Sequence, residues 1–111
     1  MHIDFAGKTV IVTGGGHGFG RAIAHAFAAR GAAAWTCDIN GEGLRATKAE
    51  AKPASGGRLE VRTVDITDVD AVGTFVGEAL ATSGRIDVLV NNAGGVCGQV
   101  GQPLEAVTPR Q

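Results

Sequence analysis

Apolar residues along this chain fall into short runs that switch between two periods. Lys8 to Thr13 (KTVIVT) is a β-branched run ending at glycine, which predicts a buried strand. Arg21 to Arg30 (RAIAHAFAAR) sets Ile23, Phe27 and several alanines on one helical stripe, and Gly31 closes it. Ala32 to Asp38 (AAAWTCD) predicts a second strand, weakened in propensity by its alanines. Asn40 is placed to cap a helix over about 42–52, stopped by Pro53 and the turn Ser55–Gly57. Leu59 to Asp65 (LEVRTVD) alternates as a third strand. Thr67 or Asp68 then caps a helix running to about Thr82, with Val69, Val72, Phe75, Val76 and Leu80 on its buried stripe. Ser83 and Gly84 end it. Ile86 to Val90 (IDVLV) is a fourth strand, followed by NNAGG, and Val96 to Gln111 reads as loop.

Strands alternating with helices predict a parallel α/β sheet with right-handed crossovers. The doubly wound arrangement expected is 3-2-1-4, with a crevice at the switch point between strands one and four. Such a sheet looks cut short after its fourth strand. IDVLV would form an exposed apolar edge, which natural sheets avoid. One face would carry two helices and the other only one, whereas parallel sheets are normally covered on both. The expectation is therefore an N-terminal part of a longer protein.

Bulk properties narrow the options. The 111 residues suit one domain, 1–111, with no internal repeat. A formal net charge of −1 without basic or acidic blocks gives no footprint for nucleic acid or an anionic membrane. No apolar run reaches the ~20 residues of a membrane span. Met1 to Gly7 lacks the apolar stretch of a signal peptide. Cys37 and Cys97 are far apart, so reduced thiols and a cytoplasmic location are expected rather than a disulfide. His2, His17 and His25 do not cluster with other ligand types, and no metal site is predicted.

The chemistry concentrates in VTGGGHGFG, Val12 to Gly20, where five glycines follow the first strand. The P-loop pattern fails, because Phe19 and Gly20 stand where Gly and Lys should be. Strict G-x-G-x-x-G fails as well, since Phe19 occupies the last glycine position counted from Gly14 and Gly16. T-G-x-x-x-G-x-G fits, at Thr13, Gly14, Gly18 and Gly20. Gly14 would make the tight turn out of the strand. Gly18 would admit a pyrophosphate close to the backbone, and Gly20 would let the helix approach the sheet. The helix N-terminus near Phe19 to Ala22 would face the phosphates. Gly15 and Gly16, at variable positions, would only loosen the loop. A ligand-free glycine turn is the bland alternative.

Asp38 ends the second strand, Asp65 the third, and Asn91–Gly94 (NNAG) follows the fourth. Together with the glycine spacing, these landmarks make the chain resemble the short-chain dehydrogenase/reductase family along essentially its whole length. The resemblance implies a Rossmann-type fold and a nicotinamide cofactor at Gly14, Gly16, His17, Gly18, Phe19, Gly20, Asp38, Ile39, Asp65, Ile66, Asn92, Ala93 and Gly94. A carboxylate at Asp38 can accept hydrogen bonds from the adenosine ribose hydroxyls and repels a 2′-phosphate, which favours NAD over NADP. His17, if protonated, argues the other way. In the family, the match to Asp65 binds the adenine amino group with help from the backbone of Ile66, and Asn92–Gly94 lie along the ribose. Helix capping by Asp38 or Asp65, and a purely structural turn at Asn92–Gly94, remain open alternatives.

The family transfers a hydride between nicotinamide and an alcohol or carbonyl carbon. Its catalytic residues are a tyrosine four positions before a lysine, a serine, and an asparagine in the helix after strand four. None has a match here. The sequence holds no tyrosine, and its only serines, Ser55 and Ser83, lie in distal turns. The chain alone is expected to be inactive, the cofactor-binding portion of an oxidoreductase acting on a small alcohol or carbonyl compound. Family members usually form dimers or tetramers, which implies a homo-oligomer. The alternative is a non-catalytic NAD-binding or regulatory module that works with a protein partner.

Overall fold

A computed structural model describes residues 4–92. The elements run β1 (Thr9–Thr13), α1 (Gly18–Ala29), β2 (Ala33–Asp38), α2 (Gly41–Glu50), β3 (Arg58–Thr63), α3 (Val69–Ser83) and β4 (Val88–Asn91), as expected from the sequence. Every strand pairing is parallel and the order is β3-β2-β1-β4. All the loops that leave the carboxyl ends of the strands therefore gather at one end of the sheet.

The period of two along each strand divides the core. Val10, Val12, Ala34 and Leu59 face α1, where Ala24 and Ala28 pack flush against them. Ile11, Trp35 and Cys37 face the other way and are covered by Phe75 and Ala79 of α3. The alanines of α1 and β2 allow close approach of helix to sheet. Fully burying a Val- or Ile-sized side chain contributes about 1.5–3 kcal/mol, so these two layers supply most of the driving force.

The helix ends follow their capping chemistry. Asn40 accepts a hydrogen bond from the Gly43 N–H and starts α2. Asp68, not Thr67, caps α3 through the Ala71 N–H at 3.1 Å. Gly84, at φ 80°, ends α3 in the left-handed conformation that glycine alone adopts freely. Gly31 does the same after α1, at φ +95°.

Some boundaries and faces differ from the sequence reading. α1 begins at Gly18 rather than Arg21, because the glycines themselves form its first turn. β3 ends at Thr63, so Asp65 lies two residues past the strand rather than at its end. Val69 is 81% exposed and Leu80 is also exposed, whereas Phe75, Val72 and Val76 face the core as expected and Ala79 joins them. Val69 is the first residue of the helix and precedes Ala71 and Val72, which pack against the core.

β4 pairs with β1 alone among the described residues. Its entry is fixed by Asp87, whose Oδ2 accepts from the Thr9 N–H at 2.8 Å, while its own N–H donates to the Thr9 carbonyl at 2.9 Å. Arg85 donates twice to Asp87 Oδ1, at 2.9 and 2.6 Å. The Arg85 bonds first, then the Thr9 amide, hold the Asp87 carboxyl below the usual carboxylate range. A lowered value in the folded state means stabilisation present above the ordinary carboxylate range and lost as pH falls through the folded value. Asp87→Ala is expected to lower the melting temperature at pH 7, with the gap to wild type closing below about pH 4. Thermal unfolding across pH 3–7 checks this.

Candidate functional site at the carboxyl ends of the strands

The loop between β1 and α1 is packed onto β2 more tightly than its composition indicates. Gly14 turns at φ +78° and donates its N–H to the Cys37 carbonyl at 2.7 Å. An alanine Cβ at Gly15 would stand 1.9 Å from Thr36 Oγ1. A Cβ at Gly16 would stand 2.7 Å from Asp38 Oδ2. Gly15 and Gly16 therefore do not merely loosen the loop, and this corrects the sequence reading: β2 side chains leave no room for anything else. Gly18, at φ +56°, has open space where a Cβ would go, so its backbone angle and not packing demands glycine. At Gly20 a Cβ would collide with the Gly14 carbonyl oxygen at 1.9 Å.

The N-terminus of α1 differs from those of α2 and α3. His17 stands at its N-cap position and makes no side-chain capping bond, and the first turn carries no acidic residue. Among the described residues no side chain caps the N–H groups that this helix leaves without intrahelical partners, and they carry the positive end of the helix dipole. Phe19 is 80% exposed beside them. His17 is exposed too, its Nδ1 3.9 Å from Asp38 Oδ2.

Asp38 is buried at the end of β2. Its Oδ2 accepts from the Gly16 N–H at 2.9 Å and its Oδ1 from the Asn40 N–H at 3.0 Å. An ionised carboxylate has about four acceptor sites, so these bonds fix its orientation and leave acceptor capacity over. It does not cap α2, a task that falls to Asn40. Ile39 follows, 68% exposed. Cys37, on the opposite face of β2, has its thiol pushed up to about 11, chiefly by burial, with the Asp38 charge adding to it. It is an inert core group.

Asn92 closes the site from β4. Its N–H donates to Thr13 Oγ1 at 2.9 Å and its Nδ2 reaches the Gly14 carbonyl at 3.4 Å. Ala93 and Gly94 lie outside the described residues. Asp65 is exposed and accepts from both the N–H and the Oγ1 of Thr67, at 2.9 and 2.7 Å. Those bonds hold its carboxyl below the usual range. It caps no helix. Ile66 tucks partly into the α3-side core. The Val64 N–H donates to the Asp38 carbonyl at 3.0 Å, which ties the β3 loop to the end of β2.

The sequence reading passed over several residues of this region. Arg21 donates to the Gly16 carbonyl at 2.6 Å and to Thr47 Oγ1 at 2.9 Å. A Cβ at Gly43 would stand against the Gly16 carbonyl, so α2 also needs glycine where it meets the loop. A polar residue inside an amphipathic helix reads as solvent-facing, and only the pairing of helices reveals otherwise.

A four-stranded parallel sheet in the order 3-2-1-4, with a glycine turn leading into a helix at the switch point, defines a Rossmann-type fold. The model of the short chain dehydrogenase family matches residues 8–111. The chain belongs to that family. It is 44% identical over 93 residues to a sorbitol dehydrogenase of Cereibacter sphaeroides, covering 84% of this chain and 34% of that protein. Among solved structures it superposes on a short-chain type dehydrogenase/reductase from Mycobacterium ulcerans with a TM-score of 0.79 at 34% identity, covering 84% of this chain and 34% of that one. A variant of actinorhodin polyketide ketoreductase with NADPH gives a TM-score of 0.71 at 33% identity, over 85% of this chain and 35% of that one. The chain thus spans about a third of the length of these relatives.

Proposed function

We propose that residues 1–111 are the cofactor-binding part of an oxidoreductase that uses NAD in preference to NADP and acts on a small alcohol or carbonyl compound. A bound nicotinamide dinucleotide supplies the hydride acceptor or donor. The chain's own residues bind and orient it. The carrying observation is the uncapped, glycine-walled N-terminus of α1 standing next to a carboxylate fixed in direction. The free N–H groups and the helix dipole suit a pyrophosphate. The spare acceptor sites of Asp38 suit a ribose diol, and its negative charge opposes a 2′-phosphate.

Asn92 and Thr13 tie the end of β4 to the glycine turn. Asp65 and Ile66 bound the adenine side. No residue among the 111 is assigned a catalytic role: the sequence has no tyrosine, and of its two serines Ser55 lies in a turn and Ser83 is the last residue of α3 rather than a turn residue.

Relatives give the reading its support and its competitor. The sorbitol dehydrogenase fits alcohol or carbonyl chemistry, whereas the ketoreductase carries NADPH. Calorimetric titration of the full-length protein with each dinucleotide decides between them. NAD is expected to bind at least about tenfold more tightly than NADP, a difference of ~1.4 kcal/mol. Equal or tighter binding of NADP overturns the Asp38 assignment.

A further inference from the structure

We propose that Arg21 and Thr47 form a clamp that sets cofactor discrimination without touching the cofactor. The inference rests on the reading that Asp38 faces the adenosine ribose.

The peptide unit joining Gly15 to Gly16 is gripped at both ends. Its carbonyl accepts from Thr47 Oγ1 at 2.6 Å and its N–H donates to Asp38 Oδ2 at 2.9 Å, both buried. A trans peptide is planar, with C=O and N–H pointing in opposite directions, so Thr47 and Asp38 hold one rigid plate from opposite sides. The next plate is held by Arg21, whose Nη2 donates to the Gly16 carbonyl at 2.6 Å and to the Gly43 carbonyl at 3.1 Å. Arg21 Nε donates into Thr47 Oγ1 at 2.9 Å. A hydroxyl has one proton. Of the two carbonyls near Thr47 Oγ1, Gly15 at 2.6 Å and Gly43 at 3.0 Å, Arg21 already serves Gly43, which leaves the Thr47 proton to Gly15.

Two consecutive glycines have little intrinsic preference to hold these plates in place. The clamp supplies it. Without Thr47 or Arg21 the plate turns, the Gly16 N–H leaves Asp38, and the carboxylate, left with the Asn40 bond alone, loses one of the two bonds that fix its direction. A ribose diol needs that direction, because hydrogen bonds weaken steeply off axis. Repulsion of a 2′-phosphate depends on the charge, which remains. NAD affinity should therefore fall while NADP affinity changes little. Arg21 and Thr47 act as positioning residues through Asp38.

The test uses the full-length protein with Thr47→Val, Thr47→Ser, Arg21→Met and Arg21→Lys. It reads NAD and NADP dissociation constants, and amide hydrogen exchange at Gly16 in the cofactor-free protein. Thr47→Val and Arg21→Met are expected to speed Gly16 exchange and to narrow the NAD preference about tenfold, the scale of one charge-assisted hydrogen bond. Thr47→Ser, which keeps the hydroxyl, should restore both readouts. If Arg21→Met does not fold, the Thr47 pair carries the test unaided. Full NAD preference in Thr47→Val, in a protein whose wild type prefers NAD, overturns the clamp. A wild type with no preference for NAD overturns the reading of Asp38 and the discriminating role with it.

Discussion

Replacing Gly20 with alanine is expected to destabilise the protein by about 3 kcal/mol or more, a large share of the ~5–15 kcal/mol that holds a domain together. The new methyl group would sit 1.9 Å from the Gly14 carbonyl oxygen and 2.9 Å from Asn92 Nδ2. Neither neighbour is free to move. Gly14 is bonded through its N–H to Cys37 at 2.7 Å, and the Asn92 N–H is bonded to Thr13 Oγ1 at 2.9 Å. Relief therefore requires α1 to lift off the sheet, which would open the packing of Ala24 and Ala28 on Val10 and Val12. Gly73→Ala is the matched control. It lies inside α3 with nothing within 4 Å of its would-be Cβ. There the change should stabilise by about 0.5–1 kcal/mol through helix propensity. Urea unfolding of the three proteins reads both effects, and a Gly20→Ala variant as stable as wild type refutes the packing argument.

Asp38→Ala is expected to weaken NAD binding by about tenfold to a hundredfold and to erase most of the preference over NADP. Two losses combine. The ribose loses its acceptor, and the buried Gly16 N–H loses its partner at 2.9 Å. An unsatisfied buried donor costs about 1–3 kcal/mol on its own. The variant should therefore also melt lower than wild type without any cofactor, and calorimetry with each dinucleotide separates the two contributions. An unchanged NAD preference would mean that another group reads the ribose.

The architecture was legible in the sequence because its signals are local. The first three strand runs stop at a glycine or an aspartate, and α2 and α3 carry their own side-chain caps. Chirality and the position of the glycine turn then restrict the strand order. Side-chain roles that depend on a second element were not legible. Gly15 and Gly16 occupy variable positions of the glycine pattern, and their tight fit on Thr36 and Asp38 exists only once β2 lies beside β1. Arg21 and Thr47 are ordinary helix residues until α1 and α2 meet over the loop. Val69 matches the helical period but precedes the part of α3 that touches the sheet. Asp65 looked like the end of a strand because LEVRTVD keeps alternating after the ladder with β2 has ended at Thr63.

The pairing of β1 with β4 has a temporal side. Thr9 bonds to Asp87 and Thr13 to Asn91 across 78 residues of chain, and Asn92 returns to Thr13 across 79. At about 5–20 residues per second, ribosomal synthesis leaves β1 waiting roughly 4–16 s for its second neighbour. Until then the Thr13 end of the glycine turn lacks its Asn92 contact, and Gly14 has only β2 to hold it. During synthesis the two partners of the glycine turn thus become available in sequence, β2 first and β4 later.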